Sequence, residues 1–271
     1  MSNKFQLHVS GLNMLAKCAA QFERRYINGE KLPPSCSIVI GSATDRAVTA
    51  DLGHKIKAGE LLPDEQIKDI ARDALVAEWD NGVEVSEDDR ADGIGSKEGA
   101  IDVSVTLASL HHTKAAPAMR PTHVQRPWTL DVQGLDIQLA GTIDIQEGGA
   151  AIRDTKTSGK SPSKDVADTS LQLTTYALAV RQHDGAIPEK VALDYLVRTK
   201  TPKLVQIEST RTEADFRHLM ERIVQASRMI KAGLFMPAPI DAWWCSAKWC
   251  GYHATCKYAA RPVVVAANGG K

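Results

Sequence analysis

Hydrophobic residues change period near residue 120 and change back near residue 166, and this limits the fold more than any other feature of the 271-residue chain. Between those points "THVQRPWTLDV", "LDIQLAGTIDIQE" and "AAIRDTKTS" alternate in steps of two, with glycines at the joints, as the strands of a meander do. On either side the steps are three and four, the spacing that lines one face of a helix. Leu12, Leu15, Ala19, Phe22 and Tyr26 predict a helix over 10–28, with Ser10 as N-cap and Gly29 as its stop. A second helix is expected over 40–57, and a third opens at Pro63, followed by Asp64 and Glu65. "EDDRADGIGSKEGA" mixes charge and glycine, and "IDVSVTLASLHHTKAA" is read as a helix. After the strands come a helix in "VADTSLQLTTYALAVRQ", a hairpin turning at "KTPK" in "VALDYLVRTKTPKLVQIES", and a helix to about 231 opened by a Thr212–Asp215 capping box. Helices before and after a strand meander imply a mixed α/β fold with a central sheet: one domain over 1–258 and a flexible tail over 259–271.

With 43% hydrophobic residues the chain can bury a sizeable core. Lys plus Arg and Asp plus Glu both total 33, so no overall basic field advertises a polyanionic partner, and any nucleic-acid contact must come from local patches. No run of eighteen apolar residues occurs, and "MSNKFQLHVSGL" lacks the apolar core of a secretory signal; the expectation is a cytoplasmic protein with no membrane partner.

Inside the strand region stands "GTIDIQEGGAAIRDTKTSGK". Side chains two apart on a strand share a face, so Asp154 and Lys156 project together, and hairpin pairing brings Asp144 beside Asp154. Two carboxylates that close repel unless something positive lies between them, and a hard cation such as Mg²⁺ or Mn²⁺ fits. A metal-activated water with an ammonium alongside suits phosphodiester hydrolysis. The triplet alone also describes an exposed ion pair on an edge strand. Gln172 and Tyr176, four apart on the following helix, share a face and offer two further polar tips.

Of five cysteines, Cys245, Cys250 and Cys256 bunch in "WWCSAKWCGYHATCKY". Three thiolates leave a tetrahedral or cubane site one ligand short. Cys18 can supply the fourth and staple the chain ends together; His253 can instead complete a Cys₃His zinc site. Cys36 reads as an ordinary buried thiol. Lys160 and Lys164 in "TSGKSPSKD", and Arg198, Lys200 and Lys203 at the hairpin turn, are candidates for contact with backbone phosphates. Trp243, Trp244 and Trp249 suit either stacking on unpaired bases or shielding a metal cluster from water.

The order "GTID", "DTKT", "QLTTYA" resembles the PD-(D/E)XK nuclease superfamily, in particular its RecB-like exonuclease branch, which includes CRISPR-associated and phage members. The resemblance implies a restriction-endonuclease-like core, Asp144 and Asp154 as ligands of a catalytic Mg²⁺ or Mn²⁺, Lys156 as the catalytic lysine, and Gln172 and Tyr176 as the motif that follows it. It further implies a 4Fe-4S cluster on Cys18, Cys245, Cys250 and Cys256, with zinc as the alternative. Two positions depart from the pattern: "IGSATDRAV" places Asp45 where the family often carries a histidine ligand, and "THVQRP" places Gln125 where a glutamate is common. Those departures imply altered metal affinity or a lower rate. The expected activity is an exonuclease acting on DNA ends or single strands in recombination, repair or phage DNA processing, with a helicase or recombinase among its partners. The alternatives are a catalytically weak nuclease-like protein that binds DNA or a partner, and a zinc-stabilised interaction domain.

Overall fold

The structure is a computed structural model and describes residues 4–148 and 151–259. The expected tail lies outside these beyond Ala259, and the Gly-Gly turn at 148–149 is described only as far as Gly148. Six strands among the described residues form one mixed sheet: β1 (Phe5–Leu7), β2 (Pro121–Asp131), β3 (Ile137–Glu147), β4 (Ala151–Ser158), β5 (Lys190–Val197) and β6 (Lys203–Ser209). β2 runs antiparallel along one edge of β3. The other edge is shared: β1 pairs in parallel with residues 137–139, and β4 pairs antiparallel with residues 145–147. β5 continues the sheet parallel to β4, and β6 closes it antiparallel to β5.

The helices are α1 (Val9–Lys17), α2 (Ala19–Phe22), α3 (Cys36–Ala58), α4 (Asp64–Asp80), α5 (Glu87–Ala91), α6 (Lys97–Lys114), α7 (Leu171–Asp184) and α8 (Glu213–Ala232). α3, α4 and α6 pack on one another around Val39, Ile40, Ala43, Leu75 and Leu107, and Cys36 is buried in the same core, as expected. α3 also packs against β2 and β4, and α7 against β2, β4 and β5. α7 starts later than its apolar pattern suggested because the Ser170 hydroxyl accepts from the Leu173 N–H and sets the boundary there. At the head of α8 the Asp215 carboxylate accepts from the backbone N–H of Thr212 at 2.7 Å, one half of the expected capping box.

The first helix differs from its expected form. It begins at Val9, so Ser10 lies within it and bonds the Tyr26 hydroxyl instead of capping, and it ends at Lys17. Cys18 is extended at φ −161° and ψ 100°, and its carbonyl accepts from Gln21 and Phe22 to start α2, which runs into a π-helical stretch, Glu23–Ile27. Amphipathic spacing continues through this break, which is why the pattern could not show it.

The chain divides into two compact units, one formed by Met1–Val9 and Pro33–Val224, the other by Ser10–Leu32 and Gln225–Lys271. Within the first, a buried arginine ties four strands together. Arg153 on β4 donates to Glu147 on β3 at 2.5 Å, to Asp194 on β5 at 3.1 Å and to Glu208 on β6 at 3.2 Å. Gln206 also donates to Asp194, so this buried carboxylate is well provided with donors. Because side chains alternate, Arg153 occupies the face of β4 opposite to Asp154 and fixes the register from beneath.

Candidate active site

The β3–β4 ladder ends at the pair Ile145–Arg153, and Asp144 and Asp154 are next in register, where pairing stops. On this edge of β3 the residues between the β1 and β4 segments have no strand partner among the described residues. The Asp144 carboxylate turns back to accept from the freed Thr155 N–H at 3.3 Å. Asp154 is fully buried, with Lys156 Nζ 2.8 Å from its Oδ2 as an ion pair, yet neither of its oxygens accepts a well-formed hydrogen bond. The pairing of the two aspartates with the lysine is the arrangement expected from the spacing.

Asp45 arrives from α3. Gly41, one turn earlier, lets that helix lie close to β4, because a Cβ at this position would meet Thr157 Oγ1 at 3.2 Å. Gln125 is the described non-glycine residue with positive φ, +49°, and it falls between the Val124–Ile145 and Arg126–Ile143 pairs, opposite Asp144 in register. That left-handed turn in mid-strand carries a cost of order 1 kcal/mol. It aims the Gln125 amide at Asp45, donating at 3.1 and 3.3 Å to the two carboxylate oxygens and at 3.2 Å to Thr49. The two positions that depart from the family pattern therefore touch each other.

From α7, Gln172 donates to the Tyr176 hydroxyl at 2.7 Å. Tyr176 is held by Trp128, edge to face at 6.2 Å, and Trp128 lies across Gly141, where any Cβ would sit 2.7 Å from the indole. The glycine of "GTID" is thus a packing requirement. Tyr195 was not foreseen: it faces Lys156 in the β4–β5 register and senses both that ammonium and Asp154. Its position in the alternation of "VALDYLV" was the available signal.

A model of the PD-(D/E)XK nuclease superfamily matches residues 6–257 of the sequence. The chain belongs to that superfamily. None of the curated proteins compared with it is similar in sequence. Among solved structures, a candidate exonuclease from Eubacterium rectale superposes with a TM-score of 0.59 at 17% identity, covering 96% of this chain and 91% of the other. SSO0001 aligns at 14% identity over 92% and 96% of the two chains, with a TM-score of 0.36. The first likeness shows a shared α/β fold, a mixed central sheet flanked by helices, consistent with a restriction-endonuclease-like core.

PD-(D/E)XK nucleases in general use divalent cations, and the electrostatics here accommodate one. Burial and the Asp154 charge push Asp144 up to about 8, and the same two causes push Asp45 up to about 6. Burial also raises Asp154, against the pull of Lys156. Lys156 itself is raised: burial opposes its charge, but the Asp154 and Asp144 carboxylates outweigh that cost. One ammonium among three carboxyl groups leaves negative charge in excess. Among the described residues no three His, Cys, Asp or Glu side chains form a finished metal cage. One or two carboxylates plus retained waters is the usual provision for Mg²⁺, and the buried Asp154 carboxylate, whose Oδ1 accepts no hydrogen bond among the described residues, fits it.

Of the basic residues expected to meet DNA, Lys160, Lys164 and Lys200 are exposed. Arg198 is engaged elsewhere: its guanidinium packs over Gly159 and lies 3.4 Å from Asp92. In the second unit of this PD-(D/E)XK protein, Cys18, Cys245, Cys250 and Cys256 all line one apolar cavity, and His253 lines it too. Burial raises the Cys250 thiol, and the other three cysteines lie near enough to raise it further. The Ala238 backbone N–H donates to Cys18 Sγ at 3.3 Å. The four thiols share one apolar cavity, but among the described residues no three Cys or His side chains are grouped as a metal site.

Proposed function

We propose that this protein is a Mg²⁺- or Mn²⁺-dependent deoxyribonuclease of the RecB-like branch, an exonuclease acting on DNA ends or single strands. The observation that carries the reading is Asp154, fully buried where the ladder opens, with Asp144 next to it and the Lys156 ammonium 2.8 Å from its Oδ2. Asp144 and Asp154 hold the cation, with Asp45 as a third ligand. A cation bound there would make a water acidic enough to attack at neutral pH and would offset charge on the phosphoryl oxygens.

Lys156 stays cationic because its neighbours raise it, so it acts as an ammonium that orients the attacking water and stabilises developing negative charge. Tyr176 is raised well above the usual phenol range, by burial first and then by Asp154 and Asp144, and remains a neutral donor. With Gln172 donating to its oxygen, its own O–H is free to donate toward the scissile phosphate. Lys160, Lys164, Lys200 and, once released from Asp92, Arg198 meet the DNA backbone. Both units act as one nuclease domain over 1–258, in the cytoplasm, during recombination, repair or phage DNA processing alongside a helicase or recombinase. Cys18, Cys245, Cys250 and Cys256 carry a structural 4Fe-4S cluster, with zinc as the alternative. Among the described residues no helix is long and apolar enough to cross a membrane.

Incubation of end-labelled single- and double-stranded DNA with Mn²⁺ tests the activity. Wild type is expected to release short products, and Asp154→Ala and Lys156→Ala to lose about 10²-fold or more; undiminished cleavage by both variants refutes the site. A second reading, a catalytically weak DNA-binding relative, is favoured by the Gln125 amide, which occupies the Asp45 carboxylate. On that reading Gln125→Glu raises the cleavage rate.

A further inference from the structure

The neutral total charge conceals a division between the units. The described residues of the second, 10–32 and 225–259, hold eight Lys and Arg against three Asp and Glu, a net of +5 in a chain that sums to zero. The first unit holds 23 basic and 30 acidic residues. The second unit therefore carries a local excess of positive charge, the sign that attracts a polyanion.

The same unit exposes aromatic surface. Of the three tryptophans in "WWCSAKW", Trp244 turns inward, lining the cysteine cavity with its indole N–H buried. Trp243 and Trp249 stay outside, 63% and 56% exposed, and meet edge to face at 5.2 Å. Shielding of the cysteines thus falls to Trp244, which leaves the outer pair without that role. Lys17 Nζ lies 5.4 Å from the Trp243 ring centre, and Lys248 Nζ 5.4 Å from that of Trp249. Protein interfaces exclude lysine from their aromatic centres. Single-stranded nucleic acid needs both kinds of group, a ring for each base and a cation for the adjacent phosphate.

We propose that single-stranded DNA binds across Trp243 and Trp249, with bases stacked on the two indoles and Lys17 and Lys248 meeting the phosphates. This contact uses no residue of the carboxylate site; it rests on the nuclease reading for the choice of DNA and adds a strand-binding surface to it. Because stacking accepts any base, the surface selects unpaired over paired strands without reading sequence.

The test is fluorescence anisotropy of a labelled twenty-residue oligothymidylate, without divalent cation so that no cleavage occurs. Trp243→Ala and Trp249→Ala are each expected to weaken binding by about tenfold, from the strength of base–aromatic stacking, while Trp243→Phe and Trp249→Phe keep most of it. Lys248→Ala is expected to lower the slope of log affinity against log salt by about 0.7. An abasic oligonucleotide of equal length should bind the wild type as weakly as the thymidylate binds the Trp243→Ala/Trp249→Ala double variant. Equal binding of abasic and thymidylate strands overturns the proposal, whether or not the alanine variants fold. A wild-type dimer in sedimentation that the double variant abolishes, with DNA binding unchanged, assigns the face to a second copy and also overturns it. Cleavage with Mn²⁺ on the same oligonucleotide keeps the two ideas apart. A cleaving wild type with tryptophan-independent binding sinks the stacking surface alone, whereas tryptophan-dependent binding without cleavage supports the surface and sinks the nuclease reading.

Discussion

Asp144 shows how a side chain can be held ready for a partner at some cost to the fold. Its carboxyl is pushed from 3.8 up to about 8, so the folded protein keeps a proton there that the unfolded chain releases above pH ~4. Folding therefore binds protons, and the sign follows: stability falls as pH rises from about 4 through about 8 and levels off above that. Asp45 adds a smaller slope in the same direction, ending near 6. A cation replaces the missing positive charge, so its stabilising effect grows across the same window, because metal binding must displace those protons. Thermal melts of metal-free protein between pH 5 and 9 are expected to show Tm falling with pH, and added Mn²⁺ to raise Tm more at pH 8.5 than at pH 5.5. Asp144→Asn should flatten the metal-free slope; a variant slope equal to that of wild type would show that Asp144 is not strained by its neighbours.

At the scale of elements, one glycine decides whether the side chains meet. Gly41 lets α3 rest on β4, and Gly41→Val drives a branched side chain against Thr157 Oγ1, which an added Cβ alone would approach to 3.2 Å. Overpacking of this kind costs about 1–3 kcal/mol, and it withdraws Asp45 from the carboxylate pair. The expected outcome is a lower denaturant midpoint together with weaker Mn²⁺ dependence of cleavage; a loss of stability with unchanged metal dependence would mean that Asp45 takes no part. Much of this layer was legible in the sequence. The Asp154–Lys156 pairing followed from strand alternation, and Asp144 beside Asp154 followed from hairpin register, because both are short-range consequences of backbone geometry. The break at Cys18 and the positive φ of Gln125 were not legible. Each goes with a contact distant in sequence, an Ala238 N–H on one sulfur and an Asp45 carboxylate on one amide, and neither leaves a mark on local periodicity. The three acidic partners of Arg153 were hidden for the same reason, since they come from three separate strands.

Over the whole molecule, chemistry divides with the units: carboxylates and a single ammonium at the opening of the sheet in one, thiols and exposed indoles in the other. The extended backbone at Cys18 makes sense if its sulfur is a ligand, since the break interrupts an otherwise continuous amphipathic helix. Cys18→Ser is expected to abolish the broad absorbance near ~400 nm of anaerobically purified protein and to lower Tm by several degrees; a colourless wild type with one equivalent of zinc would replace the iron-sulfur reading. The central claim concerns the other unit. Electron paramagnetic resonance of free Mn²⁺, titrated with protein at pH 8, reports directly whether the buried aspartate pair holds a cation. The account predicts that wild type removes the free-Mn²⁺ signal stoichiometrically while folded Asp154→Asn leaves it in solution; equal uptake of Mn²⁺ by wild type and Asp154→Asn would contradict it.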